Sequence, residues 1–216
     1  MLALYDLPIS SYGCKIRILL RNKGVSWTSI TPPDGYGSPA YCQIVPAGTI
    51  PALDHDGFII AESAAIAEYI NELYPTPAML PDDIKARAAA RAMSQFHDGR
   101  IEPVLRAYFG VVAPANRDAD FIAENALLMQ RRCQQFAQMV RPDPLLTGSG
   151  LSFADCGFAP SFALLECLQD ILDFTFTLPP VLAAYKTALI AHPSVGDEYA
   201  AYATALNQWA TAKMAS

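Results

Sequence analysis

The amino-acid sequence predicts an α/β unit of about eighty residues followed by an all-α domain. Three observations carry that prediction. Short β-branched and aromatic runs alternate with helical stretches over residues 1 to 74. Pro75, Pro77 and Pro81 fall within seven residues, which no helix tolerates. Beyond them every periodic stretch has helical spacing. The expected units are residues 1–78 and 84–216.

Leu2 to Tyr5 is an apolar run ended by Asp6-Leu7-Pro8, the pattern of a buried strand stopped by proline. Ser10 and Ser11 stand at the mouth of a first helix, where Ile16, Leu19 and Leu20 recur at helical spacing and Gly24 follows Lys23 as a stop. Trp27 to Thr31 is rich in aromatic and β-branched residues and reads as a second strand, which completes a βαβ unit. The next residues, with Pro32, Pro33, Gly35, Gly37 and Pro39, predict an irregular connection with one short helix. Ile50 to Leu53 and Phe58 to Ile60 flank Asp56-Gly57, a hairpin signal because glycine adopts the positive φ of a primed turn. Ser63 then caps a helix running to about Tyr74, with Ile66, Tyr69 and Ile70 on its buried face.

The second domain shows helical spacing in Ile101, Val104, Leu105 and Tyr108, in Met129, Cys133, Phe136 and Val140, and in Tyr199, Tyr202, Leu206 and Trp209. Pro103 and Pro160 fall inside such patterns and are expected to bend their helices. Ser152 and Asp155 form a helix N-terminal box. Gly148-Ser149-Gly150 is no dinucleotide fingerprint, because Phe153 stands at the third glycine position and no strand precedes it.

Composition narrows the function. A chain of 216 residues with 52% hydrophobic and 17% charged residues can bury a substantial core. Fifteen basic against twenty-one acidic residues give a net charge of -6, which repels a phosphate backbone, so no nucleic-acid partner is expected. No apolar run approaches the roughly 18 to 20 residues that span a bilayer, and the N-terminus lacks the basic flank and apolar stretch of a signal peptide. The expectation is a soluble cytoplasmic protein with no membrane partner. Five scattered cysteines without a C-x-x-C spacing read as reduced thiols packed as small apolar groups. His55, His97 and His192 lie far apart, which predicts no metal and gives each a surface or capping role.

Four motifs occur in order. They are Ser10-Ser11-Tyr12-Gly13-Cys14-Lys15-Ile16-Arg17-Ile18-Leu19-Leu20, Val45-Pro46-Ala47-Gly48-Thr49-Ile50-Pro51-Ala52-Leu53, Glu62-Ser63-Ala64-Ala65-Ile66, and Ser152-Phe153-Ala154-Asp155 with His192-Pro193-Ser194-Val195 further on. Together they resemble the glutathione transferase family, the first of them most like the zeta-class pattern S-S-C-S-W-R-V-R-I-A-L without gaps. The resemblance implies a thioredoxin-like N-terminal domain, a C-terminal helical bundle, a homodimer, and glutathione as co-substrate whose thiol attacks an apolar small-molecule electrophile.

It also implies roles. Ile50-Pro51 would be cis, offering the Ile50 backbone, with Thr49 beside it, to the cysteinyl part of glutathione as an added strand. Ser63 at a helix N-terminus suits a carboxylate and Glu62 an ammonium group, the two ends of the γ-glutamyl arm. Ser10 and Ser11 are the candidate thiol activators. The zeta pattern favours Ser10, and a delta-class loop aligned from its helix side favours Ser11. A hydroxyl donated to the thiolate, worth roughly 1.5 to 3 kcal/mol, lowers a thiol pKa by one to two units. Cys14 is expected inside the first helix. Tyr12, Phe96, Gly99 and Tyr108 are expected to line the electrophile pocket. Family members often carry a basic residue or glutamine where Gly48 stands and a basic residue where Ala65 stands, so either glutathione is held loosely at its glycine end or the hold on that carboxylate falls to Lys15, Gln43 or a partner subunit. Cys14 also stands in place of the zeta-class tryptophan and Val45 in place of the usual asparagine, and the zeta isomerase activity is not carried over.

Overall fold

The computed structural model describes residues 1–215. Its N-terminal unit is a four-stranded sheet in the order β2-β1-β3-β4, built from β1 (Leu2–Tyr5), β2 (Thr28–Ile30), β3 (Ala52–His55) and β4 (Phe58–Ala61). The β1–β2 pair is parallel because α1 (Ser11–Lys23) crosses between them, and the other two pairs are antiparallel. The short helix α2 (Pro39–Cys42) stands in the irregular connection, and α3 (Ser63–Leu73) follows β4.

Alternation along the strands sends neighbouring residues to opposite faces. Leu4, opposite Leu53, joins the large core shared with α1, α3 and the helical domain. Tyr5, opposite Ala52, joins a second small core with Tyr41 and Val45. The hairpin turn forms as read, with φ of +52° at Asp56 and +91° at Gly57. Strand pairing starts at Ala52 rather than Ile50, since Pro51 has no N–H to give to a sheet interior. The edge strand β2 keeps only three residues of the five expected.

The sheet unit ends with α3 at Leu73, and the next helix, α4 (Ile84–Phe96), begins after Asp83 caps it. Lys23 at the end of α1 ties this connection down, donating to Asn71 Oδ1 at 2.7 Å and to the carbonyls of Tyr74 and Pro77. After α4 come a π turn (His97–Ile101), α5 (Glu102–Ala107), 3-10 turns at Tyr108–Val111 and Pro114–Asn116, α6 (Ala119–Met139), α7 (Phe153–Cys156), α8 (Phe158–Leu172), α9 (Pro180–Ile190) and α10 (Gly196–Met214).

Helix α8 is apolar nearly all round and buried to match, from Phe158 in its first turn through Leu164 and Leu168. Helix α1 packs on α7, α8 and α10, so the two units share one core. Pro160 does not bend a continuous helix as expected. It is the third residue of α8, in a first turn where the missing N–H would be unpaired anyway, whereas Pro103 lies inside a helical run that is continuous from α4, just after the π turn that distorts it. The Ser152–Asp155 box holds, and Asp155 also accepts from the Leu146 N–H at 3.1 Å and the Tyr185 hydroxyl at 3.0 Å. No helix among the described residues is long and apolar enough to cross a membrane.

A candidate active site at two helix N-termini

Ser10 and Ser11 open α1 but face different partners. Ser10 is the N-cap: its Oγ accepts the Gly13 N–H at 3.0 Å, and its own proton has no acceptor among the described residues. Ser11 donates its hydroxyl to Oε1 of Glu102, the fully buried first residue of α5. Gly13 is required here for close approach, since a Cβ would stand 1.8 Å from Asp6 Oδ1. Asp6 in turn holds Arg17, whose Nε reaches Glu198 on α10 at 2.8 Å. Burial raises the Asp6 carboxyl to about 6 despite that guanidinium.

From Glu102 a buried chain of polar side chains runs across the domain junction. The Ser161 hydroxyl donates to Glu102 Oε2 at 2.7 Å, and His97 Nε2 meets Ser161 Oγ at 2.7 Å. His97 Nδ1 meets Asp98 Oδ1 at 2.8 Å, and Lys15 Nζ sits 2.6 Å from Asp98 Oδ2. Lys15 then donates to Ser63 Oγ at 3.3 Å. Burial pushes the Asp98 carboxyl up, but His97 and Lys15 outweigh it and hold the group at about 2. With Asp98 ionised and the Ser161 hydroxyl donating to Glu102, both ring nitrogens of His97 face oxygen atoms. His97 is therefore buried among residues of the helical domain, not at the surface or on a cap as its sequence suggested. It has room because Gly157 has no side chain; a Cβ there would fall 2.6 Å from the ring.

At the far end of this chain, Ser63 is the first residue of α3 rather than its cap. The cap position is held by Glu62, exposed and at a φ of +71°, and no side chain among the described residues caps the helix. The first N–H groups of α3 are thus open for an anion, backed by the helix dipole. The Ile50–Pro51 peptide is cis, Pro51 is buried, and the exposed Thr49 gives its carbonyl to the Tyr41 hydroxyl at 3.0 Å.

The expected pocket residues separate. Tyr12 is half-buried at the junction, its hydroxyl donating to the Asp98 carbonyl at 3.3 Å and Arg106 lying 5.9 Å from its ring. Gly99 is exposed nearby. Phe96 instead packs on Phe136 of α6, and Tyr108 is fully closed off, stacked on Phe174 at 5.0 Å. The π turn accounts for this: it inserts a residue into the helical repeat, so positions before and after it no longer share a face. A cavity of about 640 Å³ lies elsewhere, between α6 and the Asp173–Thr175 segment, and none of the expected site residues lines it.

Lys15 is at the Ser63 end, not available to a glycine carboxylate. Gly48 cannot be replaced there by a longer residue without strain, because its φ is +64° and a Cβ would meet the Gly37 Cα at 2.9 Å. Cys14 is fully buried and its thiol is pushed up to about 12 by burial. Among the described residues no three His, Cys, Asp or Glu side chains gather as a metal site. Sequence reading missed Glu102, Ser161 and the burial of His97. The available signal was a polar residue inside an otherwise apolar helical run, as Ser161 is in Phe158 to Leu165.

A family model described as the glutathione S-transferase N-terminal domain matches residues 4–78. Maleylacetoacetate isomerase of Rattus norvegicus is 36% identical over 200 residues, covering 88% of this chain and 91% of that protein. The Pseudomonas aeruginosa maleylacetoacetate isomerase is also 36% identical, over 110 residues that span 48% of this chain and 52% of that one. A delta-class glutathione transferase of Nilaparvata lugens shares the fold, with a TM-score of 0.83 over 99% of this chain and 100% of that one at 19% identity. The four-stranded mixed sheet with its helices and the helical domain behind it form the fold that these transferases share. The chain belongs to the glutathione S-transferase superfamily.

Proposed function

We propose that this protein is a glutathione transferase in which Ser10 stabilises the thiolate of bound glutathione for attack on an apolar electrophile. One observation carries the choice of serine: the Ser10 proton is uncommitted, whereas the Ser11 proton is given to Glu102. A thiolate at the N-terminus of α1 accepts a hydrogen bond from that hydroxyl, and the helix dipole adds roughly 0.3 to 1 kcal/mol. The γ-glutamyl carboxylate binds Ser63 and the open N–H groups of α3, with Glu62 on the ammonium. The Ile50 backbone beside Thr49 and Pro51 pairs with the cysteinyl part. Tyr12 and Gly99 border the acceptor. The glycine end is held loosely, since Gly48 and Ala65 offer no charge and Lys15 is occupied. The same reading makes the protein a cytoplasmic homodimer with a detoxifying role and no need of a metal.

The 36% identity to the rat maleylacetoacetate isomerase favours a second reading. There the same thiolate adds to a cis double bond, allows rotation, and leaves again. Titrating glutathione while following thiolate absorbance in the ultraviolet tests the shared step, with Ser10→Ala as the control. A saturable signal lost in Ser10→Ala supports it. No signal at millimolar glutathione overturns it and leaves a non-catalytic glutathione transferase-like binding protein. A panel of aryl halides and maleyl acids then separates transfer, dehalogenation and isomerisation by product.

A further inference from the structure

Glu102 is an unusual neighbour for a thiol site. It is fully buried, its two carboxylate oxygens are each met by a serine hydroxyl, and among the described residues no lysine or arginine is ion-paired with it. One of those hydroxyls belongs to Ser11, next to the residue that stabilises the thiolate. Forming a thiolate from glutathione releases a proton that must go somewhere, and Ser10 cannot take it while donating its own.

We propose that Ser11 and Glu102 form the proton exit of this site, Ser10 holding the thiolate while the thiol proton passes through the Ser11 hydroxyl to Glu102. This rests on the glutathione reading above. In the step the S–H bond breaks and an O–H bond forms at Ser11 Oγ, as the proton that Ser11 held moves to Glu102 Oε1. The sulfur keeps the electron pair, and no charge is created or lost within the set. Glu102 acts through Ser11 and is a positioning residue, not a group that touches glutathione.

The surroundings fit an acceptor. Oε2 stays fixed by Ser161, itself braced by His97 and Asp98, so the carboxyl cannot rotate away when Oε1 gains a proton. Tyr12 from α1 and Tyr202 from α10 feel its charge, and both are held protonated far above neutrality first by burial and then by Glu102 itself. They do not compete for the proton at neutral pH. Arg106 on α5 and Arg17 on α1 act on those tyrosines in the opposite sense, Arg106 on both and Arg17 on Tyr202.

The test counts protons against thiolate. Glutathione is added to the full-length protein in weakly buffered solution with a pH indicator, and thiolate absorbance is read in the same sample. S-methylglutathione, which has no thiol proton, supplies the baseline for binding alone. In the wild type the expected release is well below one proton per thiolate. In Glu102→Gln, whose amide oxygen can still accept from Ser11, it rises to one. Ser11→Ala, which leaves Glu102 in place, should behave as Glu102→Gln does. Release of one proton per thiolate in the wild type overturns the proposal, as does an unchanged ratio in both variants. Absence of any thiolate signal in the wild type overturns the glutathione reading and this one with it, so the two failures are distinct.

Discussion

The N-termini of α1 and α3 both carry serine at or beside the first helical turn, yet they are finished in opposite ways. At α1 the Ser10 side chain takes the Gly13 N–H and the turn is closed. At α3 no side chain among the described residues caps the helix, and Glu62 is held at a φ of +71° where a non-glycine residue costs roughly 1 to 3 kcal/mol. A cap satisfies the helix and uses up its donors. An uncapped end keeps those donors for a ligand and puts the cost into the backbone. The difference assigns the two ends: α1 offers a hydroxyl to one atom, and α3 offers a cradle to a charged group.

Four substitutions break or sharpen that contrast. Ser10→Ala should have the largest effect, lowering kcat/KM for any acceptor by roughly 10- to 100-fold through loss of a charge-assisted hydrogen bond, with glutathione binding nearly intact. Steady-state kinetics and the thiolate titration check it together.

Next is Asp98→Asn, which loosens the link from α1 to α3 by weakening the hold on Lys15. The folded Asp98 value, about 2, lies below the usual 3.8. Its contribution is therefore complete above about pH 4 and is lost as pH falls through about 2, amounting to about 2 kcal/mol at neutral pH. Urea denaturation should show the variant less stable by that order at pH 7 and equal to wild type near pH 2.

Ser63→Ala removes one donor from the open end and should raise the KM for glutathione roughly tenfold with kcat little changed. The smallest effect is expected for Glu62→Gly. Relieving the positive φ should stabilise the fold by about 1 kcal/mol while weakening the grip on the ammonium group, so that thermal stability and KM rise together. A fall in stability would show that the strain at 62 is not a local cost.

Much of this contrast was legible before the structure. The Asp56-Gly57 turn, the stop at Gly24 and the proline-rich break each state their geometry in one or two residues. The serine pair, Ile50-Pro51 and Glu62-Ser63 were found because local motifs carry them. What could not be read was anything decided by packing between the halves. Glu102 follows Ile101 in what looked like one apolar helix, and only the π turn at 97–101 shows that the face changes there. For the same reason Phe96 and Tyr108 looked like pocket walls when they pack on Phe136 and Phe174. His97 looked isolated because its partners, Ser161 and Asp98, come from a helix sixty residues away and from the adjacent position. The missing handle at Gly48 follows from a contact with Gly37 that lies eleven residues upstream.

Gly157 has no side chain and lies in the hinge between α7 and α8. Yet a single methyl group at that position would displace His97, cut the path between Ser11 and Ser63, and uncouple the two ends of the tripeptide grip. Anyone redesigning the helical domain for a new acceptor must treat that hinge as part of the glutathione site.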